Sequence, residues 1–88
     1  MSIGDEADKV RNGAYAAVGR LYRRVSAESS QIIRLAESQC QGKTSAERDA
    51  IMQQAQRKCD KLMEEANEEA RRIHKEAAFR ASLLDRLH

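Results

Sequence analysis

The feature that most constrains this chain is a stripe of apolar residues that recurs every eleven positions and changes phase once. From Ile51 onward the residues fall into the blocks IMQQAQRKCDK, LMEEANEEARR, IHKEAAFRASL and LDRLH. Ile51, Leu62, Ile73 and Leu84 open the blocks; Ala55, Ala66 and Ala77 take the fifth place, and Cys59, Ala70 and Ala81 the ninth. Such spacing averages about 3.67 residues, the repeat of a nearly straight or slightly right-handed supercoiled helix. A helix carrying a continuous apolar stripe is built to lie against another helix.

The first half repeats the pattern as Val10, Ala14, Val18, then Leu21, Val25, Ser29, then Ile32, Ala36, Cys40, with Ile3 and Ala7 extending it backward. Carried forward, that series reaches Lys43 and Gln54 instead of Ile51, so the two halves are out of phase. The break falls at Gln41-Gly42-Lys43-Thr44. Gly42 suits the residue just past a helix end, and Thr44-Ser45-Ala46-Glu47 is a capping box that opens the next helix. A stop followed at once by a start predicts an all-α chain folded as an antiparallel two-helix hairpin. The expected bounds are a first helix over about 3–41, a turn over about 42–44 and a second helix over about 45–87, all in one domain spanning 1–88. Ser2 is the expected first cap, with Asp5, Glu6 and Asp8 suited to the positive end of the helix dipole.

Folding the chain about the turn sets Ile32 against Ala55, Ala36 against Ile51, Val25 against Leu62 and Leu21 against Ala66. Toward the termini Ala14 meets Ile73, Val10 meets Ala77 and Ile3 meets Leu84. Large mostly faces small, the alternation that lets two helices interdigitate at normal density. Arg20, Arg23 and Arg24 fall alongside Glu64, Glu65 and Glu68, where exposed pairs of about 0–1 kcal/mol favour the register without holding the fold. Gly13 and Gly19 interrupt the first helix, either weakening it or leaving a smooth surface for a close neighbour.

Eighty-eight residues sit near the lower limit for a self-sufficient core. Tyr15, Tyr22 and Phe79 are the only aromatics, so the seam lacks large side chains. A face beside the seam then becomes informative. The second place of each block holds Arg11, Tyr22 and Ile33 in the first helix and Met52, Met63 and His74 in the second, on one broad face. The opposite flank, with Ala17, Glu28 and Gln39 against Lys58, Glu69 and Arg80, reads as mainly polar. Tyr22, Ile33, Met52 and Met63 are therefore the expected partner-binding surface, with a second apolar row of Phe79, Leu83 and Leu87 near the C-terminal end. Self-association into a four-helix bundle is the simplest way to bury the first of these; a row spaced by fours is also what a helix-in-groove ligand presents.

No catalytic, cofactor or metal site is expected. Gly42-Lys43-Thr44 ends like a phosphate-binding loop, but Glu37 stands where its first glycine belongs and no strand precedes it. Cys40 and Cys59 lie far apart along the hairpin, beyond disulfide or shared-metal reach, and His74 and His88 complete no ligand set. Glu64, Glu65, Glu68 and Glu69 read as a solvated face beside arginines. The chain is expected to be non-enzymatic: a protein–protein interaction or scaffold module, such as an assembly subunit or binding chaperone. Its partner is then a second copy or another helical protein.

Two alternatives stand beside that reading. Lys9, Arg11, Arg20, Arg23, Arg24 and Arg34 make the first helix locally basic, as a nucleic-acid-binding helix is. Eleven-residue stripes also suit a helix lying on a lipid surface, although this stripe is rich in alanine. A near-balanced charge, the absence of a long apolar run and an acidic N-terminus without signal-peptide layout predict a cytoplasmic protein with no transmembrane segment. In composition, LMEEANEEARRIHKEA resembles peripheral-stalk helices of rotary ATPases and related secretion-apparatus stators. The resemblance spans under a quarter of the chain, rests on no specific motif, and the capped turn departs from an uninterrupted stalk. No family assignment follows from it.

Overall fold

The computed structural model describes residues 3–87, with side chains from residue 4 onward. Ser2, the Ile3 side chain and His88 lie outside the described residues. Two helices, α1 (Ile3–Gln39) and α2 (Ser45–Arg86), make up the fold, and no strand occurs among the described residues. The helices lie antiparallel along their whole length in a hairpin measuring 67 × 18 × 9 Å.

The turn follows from a few backbone requirements. At the end of α1 the amide of Cys40 donates to the carbonyls of both Ala36 and Glu37, at 3.1 Å each. The amides of Gln41 and Lys43 then donate three residues back, to Ser38 at 3.4 Å and Cys40 at 3.1 Å. This tightening ends the α-helix at Gln39, slightly before the expected residue 41. Gly42 has φ +73°, the left-handed conformation that a Cβ would penalise. Thr44 then caps α2: its Oγ1 accepts from the Glu47 amide and its own amide donates to Glu47 Oε1, both at 3.2 Å. Arg48 adds a tie that its sequence position does not advertise, donating from Nε to the Cys40 carbonyl at 3.2 Å. The first turn of α2 thereby gives a second donor to a carbonyl at the end of α1 that already accepts from the Lys43 amide.

Between the helices the buried residues are Ala7, Ala14, Leu21, Val25 and Ala36 of α1 and Ala55, Ala66, Ala70, Ala77 and Ala81 of α2. Every one belongs to the eleven-residue stripes, and all but Leu21 and Val25 are alanines. Leu21, Val25, Ala66 and Ala70 form the centre of the core, with Val18, Tyr22, Leu62 and Ile73 packed on them. Grooves lined together by Ile32, Ala36, Ile51 and Ala55, and by Val10, Ala14, Ile73 and Ala77, place the remaining described stripe pairs at shared levels. The larger side chains at the block openings, Ile32, Ile51, Leu62, Ile73 and Leu84, are only half-buried. Alanines let the helices approach, but each large residue keeps one side in water and realises part of its ~1.5–3 kcal/mol burial energy.

The expected cross-helix ion pairs at mid-hairpin are not formed. Arg24 instead approaches Glu28 of its own helix at 4.0 Å, and Glu69 pairs with Arg72 at 3.4 Å. Neighbours one turn away on the same helix are held close by the backbone, whereas a cross-helix pair must fix two long side chains over the seam. α1 runs unbroken through Gly13 and Gly19.

A candidate helix-docking face

The two broad faces of the hairpin are built differently. One is laced from the termini toward the turn by cross-helix contacts. Arg11 Nη2 donates to Asp85 Oδ2 at 3.0 Å and Nη1 donates to Asp8 Oδ1 at 3.2 Å. Tyr15 meets His74 edge-on, with ring centroids 5.0 Å apart and planes at 61°. Next, the Tyr22 hydroxyl donates to Asn67 Oδ1 at 2.6 Å, and the Cys59 thiol approaches the Ser29 carbonyl at 3.6 Å. Beyond these, Ile33 shares a shallow groove with Ser26, Ser29, Ser30, Gln56 and Cys59.

Polarity changes along this laced face. Its terminal half carries Arg11, Asp85 and His74. Its turn half carries Tyr22, Ile33, Met52 and Met63 among serine, glutamine and cysteine side chains, with Arg34 and Glu37 bordering the Ile33 groove. Tyr22, Ile33 and Met52 are half-buried, whereas Met63 is 42% exposed. Phe79, Leu83 and Leu87, at 66%, 45% and 69% exposed, stand elsewhere, on the outside of α2 near its C-terminal end. The structure thus groups four of the seven candidate residues on one face and leaves the other three as a separate row.

The second face is open. Grooves along it expose the seam between charged rims: Leu21, Val25, Leu62 and Ala66 lie between Arg24, Glu28, Glu65 and Glu69. Farther along, Val10, Ala14, Ile73 and Ala77 lie between Lys9, Glu76 and Arg80. This flank is less polar than its sequence reads, because Leu35 stands on it at 62% exposure beside Ile32 and Gln39. Leu35 belongs to neither stripe nor contact column, and a lone leucine three residues past one stripe member carries no periodic signal. Tyr15, 68% exposed, likewise lies outside the stripes; its contact with His74 depends on the register between the helices.

Which face suits a docked helix is decided by what docking would bury. On the open face Glu28, Lys58 and Glu69 project toward any helix laid over the seam. Removing an unpaired charge from water costs several kcal/mol, more than the exposed apolar edges return. On the turn half of the laced face the charged groups bordering the Ile33 groove, Arg34 and Glu37, lie toward the end of α1. Between them and Tyr22 lie hydroxyls, an amide and a thiol that keep hydrogen-bonding options across an interface. That half is the better candidate surface. Compared with known protein families, with curated proteins and with solved structures, the chain matches none. Among the described residues no three His, Cys, Asp or Glu side chains gather to hold a metal ion, and no helix is long and apolar enough to cross a membrane.

Proposed function

We propose that this chain is a non-enzymatic interaction module, a helical hairpin that works by presenting its tyrosine- and methionine-bearing face to another helical chain. The observation that carries this reading is the thinness of the seam. A core made almost wholly of alanine leaves Ile33, Met52 and Met63 beside it only partly covered by the hairpin. Two added helices would bury that face and complete a four-helix bundle. The row Phe79, Leu83 and Leu87 offers a second, smaller contact at the far end of α2, suited to a groove on a larger partner. Cytoplasmic operation as an assembly subunit or binding chaperone fits this reading.

Nucleic-acid binding has weaker support. Arg11 is held by Asp8 and Asp85, Arg24 leans on Glu28, and the levels of Arg20 and Arg23 on α1 carry Glu64, Glu65 and Glu68 on α2. The basic residues therefore do not form a stripe free of acids. A lipid surface is poorly matched by an alanine-rich seam already turned inward.

The test is covalent capture. A photo-crosslinking side chain replaces Met63 in the full chain, expressed in its native source, and the adducts are identified by mass. The expected result is attachment to a polypeptide, this chain or another, that disappears when Met52→Asp is added. If no polypeptide is captured from position 63 while the variant remains helical, the docking face is wrong.

A further inference from the structure

We infer that the occupant of this face is a second copy of the chain, docked with its turn at the same end as the first. The inference rests on the docking reading above and adds the identity and orientation of the partner. Two arrangements can join one face of a hairpin to itself by a two-fold axis. With the axis along the helices, every level meets the same level and α1 lies over α2 of the second copy. With the axis across the helices, α1 lies over α1 and the turn of one copy meets the termini of the other. A closed, isologous pair requires one of these.

Polarity selects the first arrangement. Same-end docking lays Ile33 over the level of Met52 and Gln56, and Tyr22 over the level of Met63 and Asn67. The reverse arrangement would set the Ile33 level against the Arg11 level, burying an apolar side chain against a guanidinium already tied to Asp85 at 3.0 Å.

The outer rim of the same face makes an independent selection. On the turn half of α1 the rim carries Arg23 and Arg34, both exposed; Arg34 borders the Ile33 groove together with one exposed acid, Glu37. On the turn half of α2 it carries Asp49, Asp60 and Glu64, also exposed; Asp60 is held at the rim by Gln56 Nε2 at 2.9 Å. These residues point away from the seam, and the ion pairs among the described residues include none of them. The attraction between neighbouring helices within one copy therefore does not account for their placement. Same-end docking brings Arg23 level with Glu64 of the second copy and Arg34 between Asp49 and Asp60. Glu37 then falls near Asp49 at the turn end, where both stand exposed at the edge of the interface. Reversed docking brings Arg23 onto Arg23 and Glu64 onto Glu64. Complementary rims set register and exclude the like-charged alternative.

The experiment uses the full chain at low salt, with self-association measured by analytical ultracentrifugation. Arg23→Glu should weaken association about tenfold or more, because two symmetry-related attractions become repulsions. The double variant R23E/E64R should recover it. Circular dichroism at a concentration where all variants are monomeric should show equal helicity, since neither residue touches the seam. Orientation is read separately: a spin label at Lys43→Cys, in a chain carrying Cys40→Ser and Cys59→Ser, should lie within about 30 Å of its mate, given helix spacings of 8–10 Å. A label separation approaching the 67 Å length of the hairpin overturns the inference, as does an Arg23→Glu variant that associates normally. A chain that stays monomeric at all concentrations also overturns it, yet leaves the docking reading standing if position 63 captures a different polypeptide.

Discussion

Thr44 and Gly13 act on their helices in opposite directions, and both effects are measurable one residue at a time. Thr44 makes both halves of a capping box, each at 3.2 Å. Thr44→Ala should therefore lower stability by about 1 kcal/mol, seen as a reduced thermal midpoint in circular dichroism. A Cβ at Gly13 would meet nothing within 4 Å, and the residue is helical. Gly13→Ala should then raise stability by about 0.5–1 kcal/mol, since it removes backbone freedom from the unfolded chain and adds no clash. An unchanged or lower midpoint would mean that the smooth surface at Gly13 is already in use by a close neighbour. Both positions were legible in the sequence, one as a motif and the other as an interruption. Arg48 was not, because its bond to the Cys40 carbonyl exists only once the turn has closed.

At the scale of the helices, periodicity carried most of the information. Every buried residue was a stripe position, because burial in a two-helix seam repeats with the helix and so writes itself into the spacing. Side-chain size at those positions was also written there, and its consequence shows in the structure: alanines close the seam while Ile32, Leu62 and Ile73 stay half in water. What spacing could not carry was the choice among neighbours of equal chemistry. Arg24 had acids available on both helices and settled on Glu28, and Leu35 fell outside any repeat. At mid-hairpin Ala66, 3% exposed, belongs to the core cluster with Leu21 and Val25. Ala66→Leu would set two leucines at one level of the seam, pressing on Leu21, and should cost about 1–3 kcal/mol, read as a lower denaturant midpoint. The same change at Ala78, exposed on the helix surface, should stay within about 0.5 kcal/mol. Equal effects at the two sites would contradict the pairing of Leu21 with Ala66.

For the whole molecule, the question is whether the hairpin is the folding unit or half of one. Its extents of 67 × 18 × 9 Å describe a slab one helix thick, in which among the described residues only alanines such as Ala7 and Ala81 are fully covered. Only a second layer removes the water from Ile33, Met52 and Met63, so folding and docking should be coupled. If they are, unfolding two chains at once makes the thermal midpoint depend on concentration. A tenfold dilution shifts the dissociation balance by about 1.4 kcal/mol, which for a unit of this size corresponds to about 3–6 °C. Melting followed by circular dichroism over a hundredfold range of concentration should show that slope. Met63→Asp, placing a charge at the centre of the docking half, should both lower the midpoint and flatten its dependence on dilution. Because Met63 is 42% exposed in the single hairpin, a loss confined to the monomer would be small. A large loss that fades on dilution therefore reports the second layer directly. A midpoint independent of concentration in the parent chain would instead make the slab stable alone and shift the burial of its apolar face to another protein.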